Sequence, residues 1–388
     1  MLRSFHCITT LVASTMMLAL TGCSTVDRLL ERDEKIPELA PLESSADVRT
    51  EWSRNVGSGD DGLYLKLRPS TANGLVYATG PNGDVAAVDV ESGDLAWRTD
   101  TDARISGGVG LNDDYVFVGS LDGEVIALNV ADGEPAWRVR VSSEVLAPPT
   151  ADPSVVVVRT VDGKLYGLSA RDGSRLWVYD RTVPALTLRG TSAPVIAGDL
   201  VVAGFDSGRL VALDIDQGRT YWESRITVPR GKSELERMVD IDAEPVVIGN
   251  VVYAVTFQGR LVAADLNSGE VLWRRDLSSF VGLSADFDHL YVTDDTSVIW
   301  ALDRESGRAI WRQESLTKRR LTNTSVFGRY LAVGDVEGYL HILDRDTGVI
   351  LARTQLDNDG FIAAPVDGGT QLIAHGRGGT LAAISVRE

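Results

Sequence analysis

The sequence predicts an all-β protein: an eight-bladed β-propeller of four-stranded blades, closed by the N-terminal strand. Three observations predict it: a unit that repeats along almost the whole chain, strands separated by tight turns inside each unit, and an incomplete unit at each end. A period of roughly 40 residues with turn glycines at fixed positions is typical of stacked or radial arrays. The two incomplete units favour a closed ring.

Each repeat is marked by a glycine four residues before a tryptophan. Six repeats keep this spacing, and in a seventh repeat Ala352 replaces the tryptophan. In six of the seven a second glycine lies ten residues before the first, and Ser297 replaces it in the repeat that ends at Trp311. The pairs are Gly93–Trp97, Gly133–Trp137, Gly173–Trp177, Gly218–Trp222, Gly269–Trp273, Gly307–Trp311 and Gly348–Ala352.

Residues 115–137 show the order of elements within a repeat. Tyr-Val-Phe-Val at 115–118 predicts a strand, because aromatic and β-branched residues suit a half-buried pleated surface. Asp122-Gly123 predicts a tight hairpin turn, the apolar run 125–128 predicts the next strand, and an Ala-Asp-Gly turn leads to the strand with Trp137. With one more apolar segment upstream, each repeat holds about four strands, which favours blades around an axis.

The two ends of the chain predict how the ring closes. Residues 371–386 align with earlier repeats through Gly379 but stop where a tryptophan-bearing strand should follow. Residues 48–54 carry Trp52 with no repeat before it. We therefore expect the N-terminal strand to complete the last blade, which also removes long free sheet edges. Each blade has one marker residue: Trp52, the six later repeat tryptophans or Ala352. This gives eight blades.

The repeated tryptophans are predicted to be structural. Packed between neighbouring blades, each indole would bury on the order of 150–250 Å². The alternative, a stacking platform for nucleic acid, is excluded by a formal net charge of −17, because phosphate binding needs a basic surface. Trp300 is out of register and is expected on the inner strand of its blade, where it could face the axis. The structural set is Trp52, Trp97, Trp137, Trp177, Trp222, Trp273 and Trp311.

The first residues predict the cellular address. Arg3 precedes the uncharged stretch 8–22, which is short for a membrane span and suits a signal peptide. The sequence Leu20-Thr21-Gly22-Cys23 resembles the bacterial lipoprotein box, in which the cysteine is lipidated and becomes the first mature residue. The alternative is a simple secretory signal with an incidental cysteine. Because Cys7 would leave with the signal, no disulfide is expected within the mature chain.

These features predict three segments. Residues 1–22 form a lipoprotein signal peptide, 23–47 a lipidated and mostly disordered linker, and 48–388 the propeller. The linker is rich in Asp and Glu, lacks the repeat and cannot bury much apolar surface. It would span at most about 80 Å when fully extended. Serine rather than aspartate follows Cys23, which favours sorting to the outer membrane.

The sequence carries no motif of an enzyme. Its four histidines, His6, His289, His341 and His375, lie in separate parts of the chain without the spacing of metal ligands. There is no Gly-x-Ser-x-Gly elbow, phosphate-binding loop or cysteine cluster. We therefore expect no catalytic residue, no metal site and no cofactor.

The pattern Ala-x-Asp-x-x-x-Gly-x-x-x-Trp, present at 212–222, 263–273 and 301–311, resembles the tryptophan-docking repeat of pyrroloquinoline quinone dehydrogenases. Those enzymes are eight-bladed too, but they carry an adjacent cysteine pair and calcium-binding and catalytic carboxylates. The mature chain would have a single cysteine and so departs from that pattern. The resemblance therefore implies a shared architecture. A quinone-dependent dehydrogenase, or a propeller that senses a small periplasmic ligand, stays as the alternative function.

Nearly the full mature chain is similar to the BamB family, lipoproteins of the outer-membrane β-barrel assembly machinery. The similarity rests on the lipoprotein box, the eight repeats and the loop sequences at 184–194 and 237–245. It implies a non-catalytic scaffold, lipid-anchored at the periplasmic face of the cell outer membrane. It leaves open whether unfolded outer-membrane protein clients also bind, by edge-strand addition.

The resemblance also implies a docking site for the POTRA region of BamA at Leu186, Leu188, Arg189, Asp240 and Asp242. Two exposed leucines would act as apolar anchors, while the arginine and the aspartates would give orientation and charge complementarity. The alternative is that both leucines belong to the core and the charged groups are solvated loop residues.

Overall fold

A computed structural model describes residues 35–59, 62–181, 192–206, 208–227 and 239–387. Within these ranges the chain forms thirty-two β-strands and no helix, so none of the described residues forms a helix that could cross a membrane. The strands form eight antiparallel sheets of four strands each. The predicted fold class, an eight-bladed propeller, is confirmed.

Blades 1 to 4 follow one another in chain order, and each runs from its innermost to its outermost strand. Their strands are β2 (Ser70–Ala72), β3 (Leu75–Thr79), β4 (Asp84–Asp89) and β5 (Leu95–Asp100); β6 (Ile105–Leu111), β7 (Tyr115–Ser120), β8 (Glu124–Asn129) and β9 (Pro135–Arg140); β10 (Thr150–Ala151), β11 (Val155–Arg159), β12 (Leu165–Ser169) and β13 (Arg175–Tyr179); β14 (Val195–Ala197), β15 (Leu200–Phe205), β16 (Arg209–Asp214) and β17 (Thr220–Arg225).

Blades 5 to 7 repeat this order, and blade 8 combines the two ends of the chain. Their strands are β18 (Val246–Ile248), β19 (Val251–Val255), β20 (Arg260–Asp265) and β21 (Val271–Asp276); β22 (Leu283–Ala285), β23 (His289–Thr293), β24 (Ile299–Asp303) and β25 (Ala309–Gln313); β26 (Ser325–Phe327), β27 (Tyr330–Gly334), β28 (Tyr339–Asp344) and β29 (Ile350–Gln355); β30 (Val366–Asp367), β31 (Leu372–His375), β32 (Thr380–Arg387) and β1 (Asp47–Asn55).

The N-terminal strand closes the ring, as predicted. Strand β1 pairs antiparallel with β32, with Asp47 opposite Arg387 and Asn55 opposite Thr380. The two middle strands of each blade are buried on both faces and therefore read as continuous apolar runs, such as Val-Ile-Ala-Leu in β8. Their side chains form clusters between neighbouring blades. One such cluster joins Val76 of blade 1 to Ile373 of blade 8.

A tryptophan of one blade contacts a glycine turn of the next blade. The turn glycine Gly93 has a φ of +73°, and a Cβ there would lie 2.5 Å from Cγ of Trp52. Only glycine combines this φ with so close an approach. The other contacts of this kind are Trp97–Gly133, Trp137–Gly173, Trp177–Gly218, Trp222–Gly269, Trp273–Gly307 and Trp311–Gly348.

The position of Trp300 differs from the sequence expectation. It lies on β24, the third strand from the axis, and not on the inner strand. Its ring faces the guanidinium groups of Arg275 and Arg312, at 5.4 and 5.6 Å, and its Nε1 donates to Asp294 at 2.9 Å. Because its contacts lie between blades 5 and 6, the expectation that Trp300 faces the axis is wrong.

The last residues before β1 lie on blade 7, although the whole segment 23–47 was expected to be mostly disordered. Leu39 packs against the cluster between blades 6 and 7, and the backbone amide of Ser45 donates to Leu351 at 2.8 Å. Residues 35–38 are not part of the propeller unit, and Lys35 and Glu38 form an exposed ion pair.

Candidate functional site

The two loop sequences singled out above connect the outermost strand of one blade to the innermost strand of the next. They precede β14 of blade 4 and β18 of blade 5. Leu186, Leu188 and Arg189 lie outside the described residues, and so does Cys23. Of the expected docking residues, the structure therefore describes Asp240 and Asp242.

Residues 239–245 pack against the hairpin turns of blades 4 and 5. The amide of Ile241 donates to the carbonyl of Phe205 at 3.3 Å, and the amide of Phe257 donates to the carbonyl of Asp240 at 2.9 Å. Ile241 is fully buried, and Asp240 and Asp242 are only 1% and 6% exposed. Neither aspartate is therefore a solvated loop residue, as the alternative expected, because the buried Ile241 holds the segment between blades 4 and 5.

A buried ion pair lies beside Asp242. Arg159 and Asp206, both almost fully buried, approach to 2.7 Å, and Arg159 also donates to the carbonyl of Gly204 at 2.7 Å. Burial raises the pKa of Asp206, the charge of Asp242 adds to that rise, and Arg159 opposes it. Asp242 is therefore part of a buried charged cluster that joins blades 3, 4 and 5.

The described ends of the two loops are in contact. The hydroxyl of Ser192, near the end of the first loop, donates to the carbonyl of Ala243 at 3.0 Å. The hydroxyl of Thr150 in blade 3 donates to the carbonyl of Pro194 at 2.7 Å. The structure thus brings residues 192–194 of the first loop and 239–245 of the second loop together on one face of the ring.

The second loop also reaches the axis of the propeller. Glu244, just before β18, accepts a hydrogen bond from Arg68 at 3.2 Å, and Arg68 stands just before β2. Blades 1 and 5 lie opposite each other in the ring, so this ion pair crosses the axis. It borders a central cavity of about 480 Å³ whose lining includes Lys66, Asp242 and Asn323.

Sequence reasoning missed several residues on this face. Phe257 and Phe280 form an edge-to-face pair with ring centroids 6.1 Å apart, and Phe280 is 39% exposed. Their positions in turns gave no signal of their proximity. The pairing of Arg68 with Glu244 was also missed, because 176 residues separate them in the chain.

One of the described histidines, His341, is paired with a carboxylate in the protein interior. His341 is fully buried, and its Nε2 lies 2.9 Å from a carboxylate oxygen of Asp335. Burial raises the pKa of Asp335, but hydrogen bonds with His341 and Tyr339 and the charges of His341 and Arg319 together outweigh burial, and the net shift of the pKa is downward. Among the residues that the structure describes, no group of three or more His, Cys, Asp or Glu side chains is placed to hold a metal ion.

Comparison with known families places these features in context. The family model described as "Outer membrane protein assembly factor BamB" matches residues 81–313 and 296–388. The assembly factor BamB of Pseudomonas aeruginosa is 47% identical over 374 residues, which cover 96% of this chain and 97% of that protein. The Yersinia pestis protein of the same name is 37% identical over 97% of this chain and 98% of its own length.

Solved structures agree in fold. The crystal structure of BamB from Moraxella catarrhalis has a TM-score of 0.78 at 27% identity, and the match covers 87% of this chain and all of that one. The quinohemoprotein alcohol dehydrogenase of Comamonas testosteroni has a TM-score of 0.70 at 15% identity, over 89% of this chain and 78% of its own. The likeness to the dehydrogenase is one of fold alone. The chain belongs to the BamB family of outer membrane protein assembly factors.

Proposed function

We propose that this chain is a non-catalytic scaffold lipoprotein of the outer-membrane β-barrel assembly complex, binding the periplasmic POTRA region of BamA and assisting insertion of outer-membrane proteins. The observation that carries the proposal is similarity over nearly the whole chain to proteins named as assembly factors, at 47% and 37% identity. A scaffold needs rigid surfaces rather than a reactive centre, and a closed ring of interlocked blades supplies them.

The docking site is assigned to the face that carries the two loops. Leu186, Leu188 and Arg189 provide the contacts with the partner. Asp240 and Asp242 act beneath that surface, since both are buried. The bond between Ser192 and Ala243 supports a shared role, because it links the loop with the leucines to the loop with the aspartates.

Location at the periplasmic face of the outer membrane depends on lipidation of Cys23. The chain is acidic, with a formal net charge of −17, which disfavours binding to anionic lipid surfaces without an anchor. Replacing Cys23 by serine should leave a folded protein that no longer fractionates with membranes. Tight membrane association of the Cys23→Ser protein in cells lacking the other assembly subunits would contradict the anchor.

Membership of the complex is tested by pulling the full lipidated chain from detergent-solubilised outer membranes and identifying co-purifying subunits. BamA should be recovered with the wild-type chain. A preparation that brings down no assembly subunit at any detergent concentration would contradict the proposal.

The alternative, a quinone-dependent dehydrogenase, shares its fold with this chain at 15% identity, and a shared fold does not assign that activity. Adding pyrroloquinoline quinone and calcium to the purified chain separates the two functions. A scaffold neither binds the quinone nor reduces an electron-accepting dye with an alcohol present, whereas saturable quinone binding with dye reduction would favour the dehydrogenase.

A further inference from the structure

The interface between blades 7 and 8 lacks the contact that joins the other blades. In the seven other outermost strands a tryptophan reaches a glycine turn of the following blade, but β29 carries Ala352 at that position. Pairing shows that the position is equivalent: Trp311 lies opposite Ala301 on the neighbouring strand, and Ala352 lies opposite Ile342. The glycine turn is missing too, because β32 and β1 are the two ends of the chain.

The residues before β1 cover this position. The guanidinium of Arg353 donates to the carbonyl of Ala40, and the amide of Ser45 donates to the carbonyl of Leu351. The two bonds lie on either side of Ala352, which is only 2% exposed.

Apolar contacts fix both ends of the same segment. Leu39 packs against the cluster between blades 6 and 7, beside Trp311 and Ile350. At the other end Ala46 is buried, and Val48 in β1 packs with Leu351 in the cluster between blades 7 and 8. Residues 39–46 thus run along blade 7 from one blade interface to the next.

We infer that residues 39–46 are a strap that replaces the missing tryptophan–glycine contact and fixes the point at which the membrane tether leaves the propeller. The second part rests on the proposed lipid at Cys23. With the strap bound, residues 24–38 alone separate the lipidated cysteine from the propeller. Those residues span at most about 50 Å, instead of about 80 Å for the whole linker. The strap therefore limits how far from the membrane the propeller can work.

Spin labels test the strap without a membrane or a partner. The full mature chain with Cys23→Ser receives labels at Pro41→Cys, in the strap, and at Leu176→Cys, an exposed position on blade 3. Double electron–electron resonance should give one narrow distance. Leu39→Glu and Arg353→Ala, which remove an apolar contact and a hydrogen bond of the strap, should each replace that peak by a broad distribution.

The matched controls are Leu272→Glu, an exposed leucine on blade 5, and Arg274→Ala, which follows Trp273 as Arg353 follows Ala352. Both should keep the narrow peak. A broad distribution in the parent chain, or an unchanged narrow peak in both strap variants, would overturn the inference. Circular dichroism checks that each variant is folded, and if one is not, the other decides. Because no lipid is involved, failure of the strap is separate from failure of the anchor.

Discussion

The indole Nε1 of Trp52 donates a hydrogen bond to the backbone carbonyl of Val90 at 2.8 Å. Trp52 lies on the N-terminal strand that completes blade 8, and Val90 lies three residues before Gly93 in blade 1. The same bond recurs at six other interfaces, always to the residue three before the glycine. Its acceptors are Val130, Ala170, Ile215, Leu266, Arg304 and Arg345.

Trp52→Ala should destabilise the propeller, because it removes this bond and the ring that fills the interface of blades 8 and 1. Large-to-small changes of this type cost about 3 kcal/mol or more when the side chain is buried, and the partial exposure of Trp52 places it at the lower end. Chemical denaturation measures the change. Tyr221→Ala, at a 61% exposed aromatic, is the control and should be nearly neutral.

Deletion of residues 48–56 should have a larger effect of the same kind, since it also exposes the edge of β32. An unchanged melting curve for the deletion would contradict closure of the ring by the N-terminal strand.

Gly93→Ala should cost more stability than Gly74→Ala. Both glycines have positive φ, +73° and +77°, so both alanines carry the same backbone strain. Only at Gly93 does the added Cβ meet a neighbour, the Trp52 ring at 2.5 Å, while nothing lies within 4 Å at Gly74. Overpacking of this kind costs about 1–3 kcal/mol. Equal unfolding free energies for the two variants would show that the close approach of Gly93 and Trp52 does not affect stability.

The stability of the propeller should fall as the pH drops below about 6.5, the ordinary pKa of histidine. Burial lowers the pKa of His375, while hydrogen bonds to the backbone at Leu67 and Val56 and the charge of Asp357 oppose that shift. The unfolded chain therefore binds a proton before the folded chain does. The stabilisation is complete above the unfolded pKa and is lost as the pH falls towards the folded pKa.

A difference of one bound proton between the unfolded and folded chains changes the free energy of unfolding by at most about 1.4 kcal/mol per pH unit. His375→Gln should reduce the slope in this window, since the glutamine amide can still donate to Leu67 but does not titrate. His289→Gln, on a half-buried histidine, is the control. A slope that is the same in the wild-type and His375→Gln proteins would exclude His375 as its source.

Asp240→Arg should lower the melting temperature instead of acting as a harmless surface change. Asp240 is 1% exposed, and a buried charge of opposite sign would disrupt the surroundings of Ile241, typically by about 3–5 kcal/mol. Asp216→Arg, in an exposed turn of blade 4, is the control and should stay within about 0.5 kcal/mol of wild type. A melting temperature for Asp240→Arg equal to that of Asp216→Arg would contradict the burial.

Much of the fold could be predicted because it is encoded in local repeats. The glycine–tryptophan spacing predicted the number of blades. Trp52, which has no repeat before it, predicted that the N-terminal strand completes the last blade. Trp300 was misplaced because tryptophan is not the usual residue at its repeat position, just before Ala301, and its ring contacts Arg275 and Arg312 in two different blades.

The site was harder to predict because its geometry depends on contacts between distant parts of the chain. The burial of Asp242 follows from its place beside Arg159 and Asp206 in other blades, and the bond between Arg68 and Glu244 crosses the axis. The strap was read as linker, since its composition is that of a linker and only the absence of a tryptophan at position 352 marks where it binds.

The central claim, that the loop face docks the POTRA region of BamA, is tested most directly by titrating that purified region into the mature chain in a calorimeter. Leu188→Ala and Arg189→Glu are compared with Leu176→Ala, an exposed leucine on blade 3, and Arg171→Glu, in an exposed turn. The wild-type chain and both controls should bind alike. Each loop variant should lose about 2 kcal/mol or more of binding free energy, which raises Kd roughly 30-fold. Its melting temperature should be unchanged. Absence of binding by the folded wild-type chain, or wild-type affinity in both loop variants, would contradict the claim.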